Sequence, residues 1–113
     1  MTITTESYGH AAILNIKGDL NEDALNAVKQ AVDHQVDAGE AIDVVFNMAE
    51  VGFVDSAGLE YLLALQDRLA EKLGQVKMVN LSESVAMILE ITRLQSRFEA
   101  FDDVPSAVKA LEP

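Results

Sequence analysis

The sequence predicts an α/β fold, a mixed β-sheet of about five strands with about four helices packed on it. Short β-branched stretches alternate along the chain with longer stretches in which apolar residues recur every three or four positions. The first two strand-like stretches are separated only by the turn at residues 8–10, which is typical of a hairpin. Helices separate the later strands, which is typical of parallel pairing. A hairpin followed by β-α units therefore gives a sheet with both kinds of pairing.

The amino-terminal third contains the predicted hairpin and the first helix. Residues 1–6 and 12–17 predict the two strands, because β-branched and apolar residues dominate both. Asn21 is the expected N-cap of the helix that follows, since its side-chain oxygen can accept from unpaired backbone N–H groups. The helix ends near Gly39, and its apolar stripe comprises Ala24, Leu25, Val28, Ala31, Val32 and Val36.

The centre of the chain is predicted to be a strand, a loop and a long helix. Residues 42–46 predict a strand covered on both faces, and residues 47–51 predict the loop after it. The helix is expected over residues 56–73, with Asp55 or Ser56 as its cap. With a step of about 100° per residue, the buried face is expected to contain Leu59, Leu62, Leu63, Leu69, Ala70 and Leu73. The flank of the helix then carries Tyr61, Leu65 and Arg68.

The last third predicts two further β-α units. Residues 76–81 form the next strand, and Ser82 or Ser84 caps a shorter helix. Residues 97–101 predict a short final strand. Residues 102–106 predict the start of a last helix, because acidic residues suited to the cap are followed by a proline close to the first turn.

The composition narrows the classes of function. The 113 residues are half apolar, which is enough for a single domain over residues 1–113. Cysteine is absent, which excludes disulfides, thiol catalysis and thiolate metal sites. The formal net charge of −11 argues against nucleic acid and anionic membrane and favours a basic or mixed-charge protein partner. Without a signal-like amino terminus or an apolar run that could span a membrane, we expect a cytoplasmic protein.

Ser56 is the most informative hydroxyl, because it lies where a strand ends and a helix begins. Open α/β sheets place their functional groups at such positions. Ser56 is either a structural cap or an acceptor for a phosphate, which the positive end of the helix dipole would accommodate. Ala57 and Gly58 leave room for a kinase or phosphatase to reach the oxygen. The residue types alone leave both interpretations open.

The sequence lacks the residue patterns that would indicate an enzyme or a metal site. A serine hydrolase needs a histidine base, but His10 falls in a turn and His34 on the first helix. The sequence contains no Gly-x-Ser-x-Gly elbow, no clustered metal ligands and no glycine-rich phosphate loop, so we expect no enzyme, metal or cofactor. A response-regulator receiver, with Asp55, Thr92 and Lys109 in order, ranks lower. Its lysine should directly follow the last core strand, whereas Lys109 falls within the last predicted helix.

Three segments resemble the STAS domain, the fold of bacterial anti-sigma factor antagonists. They are Gly18-Asp19-Leu20 after the second strand, Phe46-Asn47-Met48 at the end of the third, and residues 51–59 with the pattern Asp-Ser-x-Gly-Leu. The closing order of strand, helix, strand and helix matches as well, so the resemblance covers nearly the whole chain. It implies a regulatory function.

The resemblance implies a phosphorylation switch. A partner serine kinase, often the anti-sigma factor itself, phosphorylates the serine that matches Ser56, and a phosphatase reverses the modification. The unphosphorylated form binds that partner and releases its client sigma factor, whereas the phosphorylated form does not bind. Asp55 and Gly58 match the carboxylate and glycine of the motif. Two positions depart from the pattern: Ala57 replaces a commoner Ser or Thr, and Asn21 replaces an aspartate.

The expected partner surface joins the rim of Ser56 and Asn21 to the helix flank formed by Tyr61, Leu65 and Arg68. For Tyr61 and Leu65, packing against a neighbouring element is an equally good interpretation. Two further functions stay open for a STAS-like chain. One is a subunit of a transporter complex, in which the motif is only a docking surface, and the other is regulation of a kinase or phosphatase outside sigma-factor control.

Overall fold

Five strands form one sheet in the order β1-β2-β3-β4-β5, in a computed structural model that describes residues 1–112. β1 pairs antiparallel with β2, and every later pair of neighbours is parallel. The predicted mixed sheet, with its hairpin first, is therefore confirmed. The strands are β1 (Thr2–Tyr8), β2 (Ala11–Lys17), β3 (Asp43–Glu50), β4 (Val76–Val79) and β5 (Ala100–Phe101).

Four α-helices pack on the sheet within the same residues, as the sequence predicts. The helices are α1 (Leu25–Asp33), α2 (Ser56–Ala70), α3 (Glu83–Ile91) and α4 (Val104–Leu111). A 3₁₀ turn precedes α1 and a π-helical turn extends it, at Glu22–Ala24 and His34–Ala38. Asn21 is confirmed as the cap of this region, because its Oδ1 accepts from the Ala24 N–H at 3.1 Å.

The core has one part on each face of the sheet, because successive residues of a strand point to opposite faces. On one face, side chains of β2, β3 and β4 pack against α1, α2 and α3, and the cluster includes Leu14, Phe46, Met78, Val28, Leu62 and Leu89. On the other face, Ile13, Val45 and Val79 pack against Ala107 of α4. Burial on both faces explains the nearly continuous apolar runs of β3 and β4.

Some predicted boundaries are wrong by several residues. β3 continues to Glu50, and its pairing with β2 extends to Lys17↔Glu50, so residues 47–50 belong to a strand rather than a loop. Asn47 supports this extension, because its side chain donates to Asn15 Oδ1 at 2.8 Å. Pairing with a neighbouring strand thus overrides the weak strand preference of this segment. β5 is shorter than predicted and contains only two residues.

The buried face of α2 is rotated from the predicted one by about 50°, at about 100° per residue. Its buried residues are Gly58, Leu59, Leu62, Leu65 and Leu69. Ala70 is exposed, and Leu73, with 90% of its surface exposed, lies beyond the end of the helix. On the Gly58 side the helix packs closely against the loop after β2, because a Cβ atom at Gly58 would lie 2.6 Å from the Leu20 carbonyl oxygen.

Candidate functional site

The loops that follow β2 and β3 meet at the carboxyl edge of the sheet. The Leu20 N–H donates to the Phe53 carbonyl at 2.9 Å, and the Asp55 N–H donates to the Leu20 carbonyl at 3.1 Å. Leu20 and Val54 also form an isolated parallel bridge between the two loops. These bonds hold the first turn of α2 against the segment that leads into α1.

Asp55 fixes the start of α2 through both oxygens of its carboxylate. Oδ1 accepts from the Gly58 N–H at 2.8 Å, which is the N-cap bond of α2. Oδ2 accepts from the Glu22 N–H at 3.0 Å, in the 3₁₀ turn before α1. The sequence left the cap open between Asp55 and Ser56, and the structure assigns it to Asp55. The hydroxyl of Ser56 is therefore not the cap of this helix.

Gly58 has a steric function at this site. A Cβ atom at this position would lie 2.6 Å from the Leu20 carbonyl oxygen and 2.9 Å from Val54 Cγ1. Both distances are shorter than real Cβ contacts. The glycine therefore allows the loop after β2 to contact the first turn of α2, in addition to any room that it leaves around Ser56.

Ser56 is the first residue of α2 and is exposed. The first N–H groups of an α-helix have no acceptor within the helix. At this terminus the Gly58 N–H is satisfied by Asp55, and no residue within 1–112 accepts from the N–H groups of Ser56 and Ala57. An accessible hydroxyl therefore lies beside free donors at the positive end of the helix dipole.

Phe53 is an exposed aromatic residue just before α2 that the sequence pattern did not single out. It retains 49% of its accessible surface, whereas Val54 retains 2%. Val54 bridges to Leu20 and points inward, so the residue before it points to solvent. The alternation of side chains along this extended segment was the signal that could have revealed it.

A groove next to Ser56 separates the start of α1 from the start of α2. Its lining combines polar, charged and aromatic residues, namely Glu22, Leu25, Asn26, Lys29, Ala57, Glu60 and Tyr61. Asn21 lies near this end of α1 but is only partly exposed, and its oxygen is engaged as a cap. Of the predicted partner-binding residues, the structure thus brings Asn21 and Tyr61 to the region of Ser56.

Tyr61 is partly buried between α1 and α2. Its hydroxyl is buried and has no hydrogen-bond partner within residues 1–112, and Lys29 Nζ lies 5.8 Å from the ring centroid. Burial raises the pKa of the Tyr61 phenol, and the negative charge of Asp33 raises it further, whereas Arg68 acts in the opposite direction. The neutral phenol is therefore the form that the folded chain favours.

Replacement of Tyr61 by Phe should reduce the loss of stability at alkaline pH. In the unfolded chain a tyrosine loses its proton near pH 10, whereas the raised pKa keeps Tyr61 protonated in the folded chain. The contribution of the neutral Tyr61 phenol to the free energy of unfolding is thus fully present below about pH 10, and it is lost as the pH rises further. Urea unfolding between about pH 8 and pH 11 measures the slope. An equal slope in Tyr61→Phe and the parent would contradict this assignment.

Leu65 and Arg68 do not form the surface that the sequence predicted. Leu65 retains 2% of its accessible surface and belongs to the main core, which is a correction to its expected partner-binding role. Arg68 donates to Asp33 at 2.7 Å and to Asp37 at 2.6 Å, and so fastens α2 to the end of α1. It lies about 18 Å from Ser56 along the helix axis, at 1.5 Å per residue.

The alternatives that required other chemistry gain nothing from the structure. For the receiver interpretation, both carboxylate oxygens of Asp55 accept backbone hydrogen bonds, and Lys109 lies within α4. His10 follows β1 in a turn and His34 lies in the π-helical turn, so neither is a base for Ser56. Residues 1–112 contain no group of three or more acidic or histidine side chains arranged to hold a metal ion.

Comparison with known families gives a match to the STAS domain over residues 2–107. The chain belongs to the STAS domain family. One protein with a similar sequence is the anti-sigma F factor antagonist of Paenibacillus polymyxa. It is 20% identical over 112 residues, which cover 99% of this chain and 96% of the relative. No helix in the described part of this STAS domain is both long and apolar enough to cross a membrane.

Solved structures show the same fold in proteins of different function. The phosphorylated form of the Bacillus cell fate determinant SpoIIAA has a TM-score of 0.75 at 16% identity, with 98% of this chain and 100% of that chain covered. The murine anion transporter Slc26a9, in its inward-facing state, has a TM-score of 0.77 at 18% identity. The match covers 94% of this chain but 18% of the transporter. These likenesses establish the fold, and because proteins with one fold differ in function, the function depends on the residues of the site.

Proposed function

We propose that this STAS domain is a protein-binding regulator that is switched by phosphorylation of Ser56. One observation carries the proposal: Asp55 caps α2, which leaves the adjacent Ser56 exposed at the helix terminus and outside the cap. A kinase can therefore modify the hydroxyl without removing a bond that holds the helix. This is the condition for a switch that changes the surface and preserves the fold.

The start of α2 can accept the added charge. A phosphoserine carries about −1.5 to −2 charges at neutral pH, and the N-terminus of a helix favours such charge through its dipole and its free N–H groups. Acidic neighbours such as Glu22 and Asp55 oppose part of this effect. The phosphorylated chain is thus expected to stay folded while its surface becomes more negative.

The partner surface comprises Ser56, the exposed ring of Phe53 and the neighbouring groove with Tyr61. Phe53 supplies an aromatic anchor of the kind that dominates protein interfaces. Because the chain has a net charge of −11, a partner with basic groups fits this surface best. Asn21 contributes at the margin through the part of its side chain that remains exposed.

Phosphorylation would then release the partner. A phosphate at Ser56 would lie within the contact area, where an unpaired dianion costs several kcal/mol when it is buried. The relative from Paenibacillus polymyxa, named an anti-sigma F factor antagonist, supports an anti-sigma factor as the partner. We propose that this partner is also the serine kinase. The phosphorylated form of SpoIIAA supports phosphate on this fold. The domain itself would be a cytoplasmic substrate and ligand rather than an enzyme, and a serine phosphatase would reset it.

The decisive experiment measures intact mass after incubation with ATP and a serine kinase of the anti-sigma type from the same genome. The parent should gain the mass of one phosphate group, and Ser56→Ala should gain none. Ser84→Ala is the matched control, because Ser84 is also exposed and lies in the first turn of a helix, α3. An unmodified parent, or equal modification of Ser56→Ala, would contradict the assignment of Ser56.

Binding to the same kinase tests the switch independently of the transfer reaction. Ser56→Ala should bind as the parent does, and Ser56→Asp should bind more weakly. A carboxylate mimics only part of the charge, so we expect a loss of roughly tenfold, against at least a hundredfold for the phosphoprotein. Equal affinity of all forms in calorimetry would leave Ser56 as a docking residue without a switch.

A further inference from the structure

The outer edge of β1 is an unprotected strand edge. β1 contains seven residues, pairs with β2 without a register shift and has no neighbour on its other side. Proteins usually protect such edges with lysine, proline, a bulge or a very short strand. β1 contains no lysine, proline or bulge, and Glu6 is its only charged residue, whereas the opposite edge strand, β5, has only two residues.

The turn between β1 and β2 determines which backbone groups point outward. The loop consists of Gly9 and His10, and the positive φ of Gly9 fits the first central position of a type II′ turn. In such a hairpin the flanking pair, Tyr8↔Ala11, exchanges both backbone bonds, and bonded and non-bonded pairs then alternate. The N–H and C=O groups of Ile3, Thr5 and Ser7 therefore point away from β2.

These outward groups form a self-complementary set. If a second copy of β1 pairs antiparallel about a two-fold axis at Thr5, Thr5 lies opposite its own copy and Ile3 lies opposite Ser7. Every outward N–H and C=O of both strands then has a partner. Glu6, the acidic residue of the strand, lies opposite Thr4, so no like charges face each other directly.

The groove beside the edge has no acidic residue in its lining, although the protein is strongly acidic. The exposed flank of α1 and the side chains of β1 line a shared groove, formed by Met1, Ile3, Thr5, Ala27, Gln30, Ala31, His34 and Gln35. Gln35 donates to Thr5 Oγ1 at 3.4 Å, which ties this flank to the strand. Repulsion between two copies with a net charge of −11 each is weakest where acidic groups are absent from the contact. No acidic residue lines the groove between β1 and α1.

We propose that the chain forms a homodimer through antiparallel pairing of β1 with β1 of a second copy, which joins the two sheets into one. β1 spans about 23 Å, and the α1 flanks add a second layer of contact. A contact made by one strand edge and two helix flanks is expected to fall near the lower end of specific interfaces, about 1,200 Å² in total. A weak dimer with a roughly micromolar dissociation constant is therefore expected. Ser56 lies outside this surface, so the dimer does not depend on the proposed switch.

Sedimentation velocity over a roughly hundredfold range of concentration tests the dimer. The parent should pass from monomer to dimer, and Thr5→Pro should raise the dissociation constant at least about tenfold. Proline removes an outward N–H and keeps the bonds to β2, which edge strands tolerate. Thr5→Lys places two positive charges opposite each other and should have the same effect. Thr5→Ala keeps the backbone donor and is the control that should still dimerise.

Circular dichroism and urea unfolding of each variant show whether the fold is retained. If Thr5→Pro unfolds, the effect of Thr5→Lys decides. A parent that remains monomeric at every concentration overturns the proposal. Dimerisation of both Thr5→Pro and Thr5→Lys with the affinity of the parent also overturns it, because the contact would then lie on another surface. Dimerisation of Ser56→Asp like the parent supports the separation of the two surfaces.

Discussion

Gly58→Ala is expected to destabilise the chain by about 2 kcal/mol. In an ordinary helix position, alanine would add stability of about 1 kcal/mol relative to glycine. Here the new Cβ atom would lie 2.6 Å from the Leu20 carbonyl oxygen, which is backbone and cannot rotate away. Overpacking of this kind costs about 1–3 kcal/mol or more, and the shift it forces would also disturb the Asp55 N–H bond to the same carbonyl. The free energy of unfolding in urea measures the loss.

Gly52→Ala is the matched control for this effect. Gly52 lies in the same segment before α2, but a Cβ atom there would contact only Asp19 Oδ1, at the ordinary distance of 3.6 Å. Its stability should remain within about 0.5 kcal/mol of the parent. If both variants were equally stable, the steric role of Gly58 would be refuted, and the motif glycine would then be explained by access to Ser56 alone.

Asp55→Ala is the second substitution with a large expected effect, a loss of about 2 kcal/mol. Removal of an N-cap side chain costs about 1 kcal/mol. The same change removes the acceptor of the Glu22 N–H, which ties α2 to the 3₁₀ turn before α1. A charge-assisted bond to a backbone N–H contributes about 1 kcal/mol more. Thermal and urea unfolding should both report the change.

Two further variants separate the two bonds of Asp55. Asp55→Asn keeps one good acceptor and should recover about half of the loss. Asp103→Ala removes the cap of α4, which bonds to the Ser106 N–H at 2.8 Å within its own helix, and should destabilise less than Asp55→Ala. If Asp103→Ala and Asp55→Ala had the same effect, the bond between Asp55 and Glu22 would contribute nothing. The carboxylate would then be an ordinary cap.

The site was predicted in part, and particular residues show where prediction failed. The motif from Asp55 to Gly58 could be located from the sequence, because residue type and position at a helix start are local properties. Phe53 was missed, and Leu65, for which core packing was an equally good interpretation, was included in the partner surface. Both errors depend on how the extended segment and the helix are rotated against the sheet. A periodic pattern gives the width of an apolar face, but its centre depends on what packs against it.

The sequence by itself determined the α/β class, the hairpin, the order of the elements and the presence of a hydroxyl at the start of α2. These follow from periodicity, capping and turn residues, which act over a few positions along the chain. Only the tertiary structure decided that Asp55 is the cap, that Gly58 admits the Leu20 carbonyl and that Leu65 is buried. The approach of Gly58 to the Leu20 carbonyl and the second bond of Asp55, to the Glu22 N–H, depend on the contact between the loop after β2 and the start of α2, which are more than thirty residues apart in the chain. No local pattern specifies the distance between two such segments, because packing of the whole sheet sets it.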